Sequence, residues 1–126
     1  MKGIHHIALQ ICGGEKFEAI RDFYRDTLEC PMVREWGEGD DRGAMLDLGN
    51  TLLELTTDGE PNLGKGIFAH IAFLVDDVDA VTEKVRTAGR PIIIEPMNDN
   101  LGGNYPVRYS FCTGLAGEEI EFFQEL

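Results

Sequence analysis

The tripeptide His-Ile-Ala occurs twice in this chain, at His6 and again at His70, 64 residues apart in a sequence of 126. A short chain that echoes itself at half its length is expected to fold as two copies of one unit. A second echo follows at a similar offset. Residues 49–55 read GNTLLEL and residues 117–123 read GEEIEFF, each a glycine followed by a short apolar run with a glutamate in its second half. Those glutamates, Glu54 and Glu121, stand 67 residues apart.

Between the markers each half carries a helical pattern. Phe17, Ile20, Phe23, Tyr24 and Leu28 recur at helical spacing over 15–29, and Pro31 ends the run. Val78, Val81, Val85 and Ala88 share one face of a second helix over 77–89. Asp77 suits its N-cap, Gly89 the residue after its C-cap, and Pro91 stands just beyond. Strand signals fill the rest, near 4–12, 31–36, 42–48 and 51–57 in the first half. In the second half they fall at 69–75, 91–95, 107–113 and 118–124. The reading is an α+β chain, one domain over 1–126, built of paired βαβββ modules at about 1–57 and 67–126. The turn-rich stretch DGEPNLGKG at 58–66 would join them, and PMNDNLGGNYP at 96–106 is expected to be a mobile loop over a site.

Composition narrows the partners. With 43% hydrophobic and 27% charged residues the chain resembles an ordinary soluble globular protein, long enough to bury a core. No apolar stretch approaches the roughly 20 residues a membrane-spanning helix needs. The opening MKGIHHIALQI lacks the pattern of a secretion signal. Cys12, Cys30 and Cys112 are odd in number and widely spaced, which suits a reduced cytoplasmic protein. A net charge of −12 repels phosphate backbones and anionic membranes, so neither nucleic acid nor membrane is an expected partner.

Strand alternation puts His6 on one face with Ala8 and Gln10, and His70 with Ala72 and Leu74. Glu54 shares its face with Leu52 and Thr56, and Glu121 with Glu119 and Phe123. Two modules related by an approximate twofold would turn these strands onto one concave surface. Taken singly, each residue has a plainer explanation: a histidine in an apolar run is ordinarily a bonded core residue, and a glutamate in a strand ordinarily faces water. Glu119 and His5 are read in that way. The joint pattern, one His and one Glu per module, carries more weight. Two imidazoles and two carboxylates suit a divalent ion, whose charge cancels theirs and permits partial burial. Without metal the carboxylates should repel each other, raising their pKa.

At these residues the sequence resembles the vicinal oxygen chelate superfamily, which includes glyoxalase I, methylmalonyl-CoA epimerase, fosfomycin-resistance enzymes and extradiol dioxygenases. HHIALQI is similar to its first strand, and RDFYRDTLE, with the FYxxxL pattern, to its first helix. FAHIAFLVDDVDAV resembles the start of its second module, and GEEIEFFQ its last strand. The resemblance covers the whole chain and implies metal ligands at His6, Glu54, His70 and Glu121. Extradiol dioxygenases and fosfomycin-resistance enzymes use three protein ligands, and drug-sequestering members lack the set. A His-Glu-His-Glu set is closest to glyoxalase I; the epimerase usually has Gln where this chain has Glu54. Two departures stand out. Gln10 occupies the place of an arginine that holds the glutathione glutamyl group, and TGLAG at 113–117 replaces a D-P-D-G turn. Arg108 is expected to meet an anionic substrate group from its strand, although alternation alone does not give its face.

The implied reaction is that of a metal-dependent lyase or isomerase. One Ni, Co, Zn or Mn ion per site would stabilise the enediolate of an α-hydroxycarbonyl or its thiol adduct, with Glu121 as base and Glu54 second. The alternatives are an epimerase of the methylmalonyl-CoA type or a non-catalytic ligand-sequestering protein. A homodimer is expected, because open sheets of this kind leave edges to cover.

Overall fold

The computed structural model describes residues 4–61 and 69–126. Most of the expected joining segment, 62–66, and the opening of the second module at 67–68 lie outside the described residues. The chain divides into two compact units, Met1–Gly64 and Lys65–Leu126.

The first unit contains β1 (His6–Gln10), α1 (Gly14–Asp22), β2 (Met32–Glu38), β3 (Asp41–Asp47) and β4 (Leu52–Thr56). Its four-stranded sheet has the order β1-β4-β3-β2, with β1 parallel to β4 and the other pairs antiparallel. Alternation decides what each face does. Leu53 and Leu55 of β4 and Ala44 and Leu46 of β3 are fully buried, as are Phe17 and Ile20 of α1. Glu54, between two buried leucines, therefore lies on the opposite face.

The expected first helix is interrupted. After Asp22 the coil widens to a π-helical turn over Phe23–Thr27, which buries both Phe23 and Tyr24. Two adjacent aromatics do not both fit the inward stripe of a regular helix, and the wider turn accommodates them. Glu29 then ends the helix with φ 57, two residues before Pro31. The start of α1 is satisfied from a distance: the Gly14 amide donates to Asp40 Oδ1, 2.6 Å away on the β2–β3 turn.

The second unit repeats the plan with β5 (Ile71–Leu74), α2 (Val78–Thr87), β6 (Ile92–Asn100), β7 (Pro106–Thr113) and β8 (Glu119–Glu125). The sheet order is β5-β8-β7-β6, again with the first and last strands parallel. Each unit is thus βαβββ, as the repeat implies. Helix α2 has the ends its sequence announces. Asp77 Oδ1 accepts from the Ala80 amide at 3.0 Å. Gly89 has φ 80, and the amides of Gly89 and Arg90 donate back to the carbonyls of Arg86 and Val85. Val78 and Val85 are fully buried, as are Cys112 and Ile120 on the helix side of the sheet.

The stretch 96–106 is mostly not a loop. Strand β6 continues through Pro96 to Asn100, a 3₁₀ turn spans Leu101–Gly103, and β7 begins at Pro106. The ladder register shifts between Ile94 and Met97, and β6 is the edge strand, so the missing Pro96 amide breaks no central ladder. Side chains tie the extension to the helix. Arg108 donates to both carboxylate oxygens of Asp79 at 2.6 Å and to Asn98 Oδ1 at 2.8 Å.

Candidate functional site

In the first unit the parallel register sets Ala8 opposite Glu54. His6 is therefore two residues upstream on the same face, and its Nε2 stands 3.4 Å from Glu54 Oε2. In the second unit Ala72 lies opposite Glu121, and His70 immediately precedes β5. His70 Nε2 stands 3.1 Å from Glu121 Oε2. The same offset across the same strand pair produces the same pair twice. His6 and His70 keep 40% and 37% of their side-chain surface open, against 21% for Glu54 and 12% for Glu121. The carboxylates sit at the base of each pair and the imidazoles at the rim.

The two pairs differ in what surrounds them. Burial pushes the Glu121 carboxyl above the usual carboxylate range, partly offset by attraction and hydrogen bonding to His70. Desolvation is the main cause of that rise, not the mutual repulsion of carboxylates anticipated from the sequence. His6 meets the neighbouring His5 through their Nδ1 atoms at 2.9 Å. His5, expected as a surface residue, is exposed but also touches a site histidine. His70 instead lies edge-on to Phe111, with ring centres 5.2 Å apart.

Arg108 does not reach this face. Phe111 pairs with Glu121 and Tyr109 with Phe123, so Arg108 and Ser110 alternate onto the helix side, where Asp79 holds the guanidinium. The suggestion that Arg108 meets an anionic substrate group is withdrawn. Gln10 lies on the His6 face and is exposed. The aromatic residues beside the second pair went unremarked in the sequence, although Tyr109 and Phe111 alternate in VRYSFCT in phase with Glu121 across the ladder.

The donor set suits a divalent ion. Two ligands about 2.1 Å from a common ion stand about 3.0 Å apart at a right angle and about 3.4 Å apart at the tetrahedral angle. The observed 3.4 and 3.1 Å fall at these values. Among the described residues no group of three or more His, Cys, Asp or Glu side chains is assembled, so each unit by itself offers two ligands.

Comparison with known proteins decides the family. The model of the glyoxalase/bleomycin resistance protein/dioxygenase superfamily matches residues 3–122. The chain belongs to that superfamily. Its paired βαβββ units are the vicinal oxygen chelate arrangement. A search of curated proteins found no match. Among solved structures, TnmS3, an antibiotic binding protein from Streptomyces sp. CB03234, superposes with TM-score 0.76 at 19% identity, covering 100% of this chain and 98% of that one. The glyoxalase family protein from Enterococcus faecalis gives 0.72 at 22% identity, covering 98% of each chain. A glyoxalase/bleomycin resistance protein/dioxygenase from Alicyclobacillus acidocaldarius gives 0.71 at 16% identity, covering 99% of this chain and 92% of its own. These likenesses establish the fold. The superfamily joins enzymes with binding proteins, so the fold leaves the activity to the site. No helix among the described residues is long and apolar enough to cross a membrane.

Proposed function

We propose that this superfamily member is a metal-dependent lyase or isomerase of the glyoxalase I type, acting on an α-hydroxycarbonyl substrate or its thiol adduct. The observation that carries the reading is the duplicated His–Glu pair, His6 with Glu54 and His70 with Glu121, at ligand-like separations. In this reading His6, Glu54, His70 and Glu121 are metal ligands, for one Ni, Co, Zn or Mn ion per site. When bound, the ion would supply positive charge that draws electron density from the substrate carbonyl. The protein's own part is proton transfer. Glu121, the more buried carboxylate and the one with a raised pKa, takes the α-proton, because a stronger base near neutral pH captures it more readily. Glu54, more open to water, is the second candidate and can return the proton on the adjacent carbon.

The charged residues argue about the substrate. The net charge of −12 and Gln10 in place of the arginine disfavour a polyanionic thiol such as glutathione. An epimerase of acyl thioesters would use the same proton chemistry and is the nearer alternative. A non-catalytic sequestering protein is supported by the fold of TnmS3, which is itself an antibiotic binding protein. Each sheet ends in strands with one neighbour, which supports a homodimer covering those edges. Light scattering showing a monomer at micromolar concentration would refute the dimer. Three free thiols suit a cytoplasmic location.

Metal analysis of the purified protein, followed by deuterium exchange into α-hydroxycarbonyls and acyl thioesters, tests the function. About one divalent ion per site and exchange at the α-carbon are expected. Bound metal with no exchange into any of these compounds would favour the sequestering reading.

A further inference from the structure

The sheet face that carries Glu121 is aromatic and apolar on one side of the His70–Glu121 pair. Across the sheet, Leu74, Phe123, Tyr109 and Met97 pair in one row, next to the row of Ala72, Glu121 and Phe111. Phe111 meets His70 edge-on at 5.2 Å and Tyr109 edge-on at 6.0 Å, so a continuous chain of rings leads away from the imidazole. Neighbouring same-face residues along a strand are about 7 Å apart. The Tyr109–Phe123 row therefore begins one ring's breadth from the Glu121 carboxylate. Leu74 and Met97, at the two ends of this row, are 75% and 45% exposed, so water meets apolar side chains here.

Among the described residues of this unit, the strands bring no cation to this face. The only arginine or lysine in β5 to β8 is Arg108, and it is turned to the helix side and held by Asp79. A ligand arm that leaves the His70–Glu121 pair along this row thus finds rings and aliphatic carbon, and among the strand residues of this unit no counter-charge for a carboxylate or phosphate. A flat uncharged ring matches both features. It gains from offset or edge-to-face contact with Tyr109 and Phe123, and it leaves no buried charge unpaired.

We infer that the ligand carries an uncharged aromatic ring beside its two adjacent oxygens, the ring lying over Tyr109 and Phe123 while the oxygens reach His70 and Glu121. The second half of this statement rests on the function proposed above; the first half rests on the sheet face alone.

The test compares 2-hydroxyacetophenone with hydroxyacetone, which share the hydroxyketone and differ in the ring. With the wild-type protein as purified, the aryl ketone should bind about tenfold more tightly. Its ring protons should show NOEs to the rings of Tyr109 and Phe123. Tyr109→Leu should abolish the preference while leaving hydroxyacetone affinity and metal content unchanged. Equal affinities, binding of neither ketone, or an aryl ketone without NOEs to Tyr109 would overturn the inference, and these wild-type readings stand even if the variant misfolds. A Tyr109→Leu protein that loses its dimer but keeps both affinities would assign the face to a second copy of the chain and also overturn it. Tight aryl binding with the NOEs, in a protein that holds no metal and exchanges no α-proton, would sink the proposed function and leave the ring preference intact.

Discussion

Thr82 of α2 and Ser110 of β7 are the buried polar residues of the second unit's core, each 1% exposed, with their hydroxyl oxygens 2.7 Å apart. The Thr82 hydroxyl donates to the Val78 carbonyl at 2.6 Å. Its single proton is thereby committed, so the contact between the two hydroxyls must be made by the Ser110 proton. Thr82→Val keeps the side-chain shape but removes the acceptor. It strands a buried Ser110 donor and should cost about 1–3 kcal/mol. Ser110→Ala removes the donor while Thr82 keeps its bond to Val78, and should cost about 1 kcal/mol. With both changes no hydroxyl remains to strand, and the helix still satisfies the Val78 carbonyl. The double variant should therefore lose no more than about 1 kcal/mol, a coupling of about 1–3 kcal/mol. Urea unfolding with an unchanged m-value measures all four proteins. The double variant should be more stable than Thr82→Val alone. Single effects that simply add would refute the assignment of donor and acceptor.

Glu121→Gln keeps the shape and removes the proton acceptor, so α-proton exchange should fall by about 10²–10⁴-fold while metal content falls much less; equal losses in both would make Glu121 a ligand only. Glu54→Ala should lower metal content, measured by elemental analysis after chelator challenge, and full retention would remove Glu54 from the ligand set. The pKa values of the Cys30 and Cys112 thiols are each pushed up to about 11, chiefly by burial, whereas Cys12 is exposed. Iodoacetamide at pH 8 should therefore label native protein at Cys12 alone. A folded pKa of about 11 above the ordinary 9.0 also means that the two thiols' contribution to stability is complete below about pH 9 and lost as pH rises through about 11. Denaturant midpoints that stay flat over that range would contradict it. Glu29 holds φ 57, so Glu29→Gly should raise stability by about 1 kcal/mol, and a loss on thermal or urea unfolding would show that its side chain outweighs its backbone strain.

Several features follow from local rules alone. The ends of α2 are written in Asp77 and Gly89, whose caps use atoms within a few residues of each other. The faces of β4 and β8 follow from alternation, because burying Leu53 and Leu55, or Ile120 and Phe122, forces Glu54 and Glu121 the other way. The duplication then predicts that each glutamate has a histidine as neighbour, and in each unit it does. Other features depend on residues distant in the chain. Asp40 caps α1 from a turn 26 residues away. The π-helical turn reflects the burial of both Phe23 and Tyr24, which outweighs the regular period.

Arg108 and the stretch 96–106 show where sequence reading stops. Turn-forming residues crowd that stretch, and their composition argues for a loop. Ladder pairing with β7 and the Arg108–Asp79 bond make it strand instead, because an edge strand tolerates Pro96 where a central one would not. The face of Arg108 was undetermined for a related reason: alternation defines two faces but does not label them. Only the register against β8, which sets Phe111 opposite Glu121, and the position of α2 supply the label. The sequence by itself determined the repeat, the order of the elements and the identity of the two His–Glu pairs, since these depend on residue type and short-range spacing. Tertiary structure decided which side chains surround each pair, because strand register and helix placement are set by packing between segments that the chain's order does not bring together.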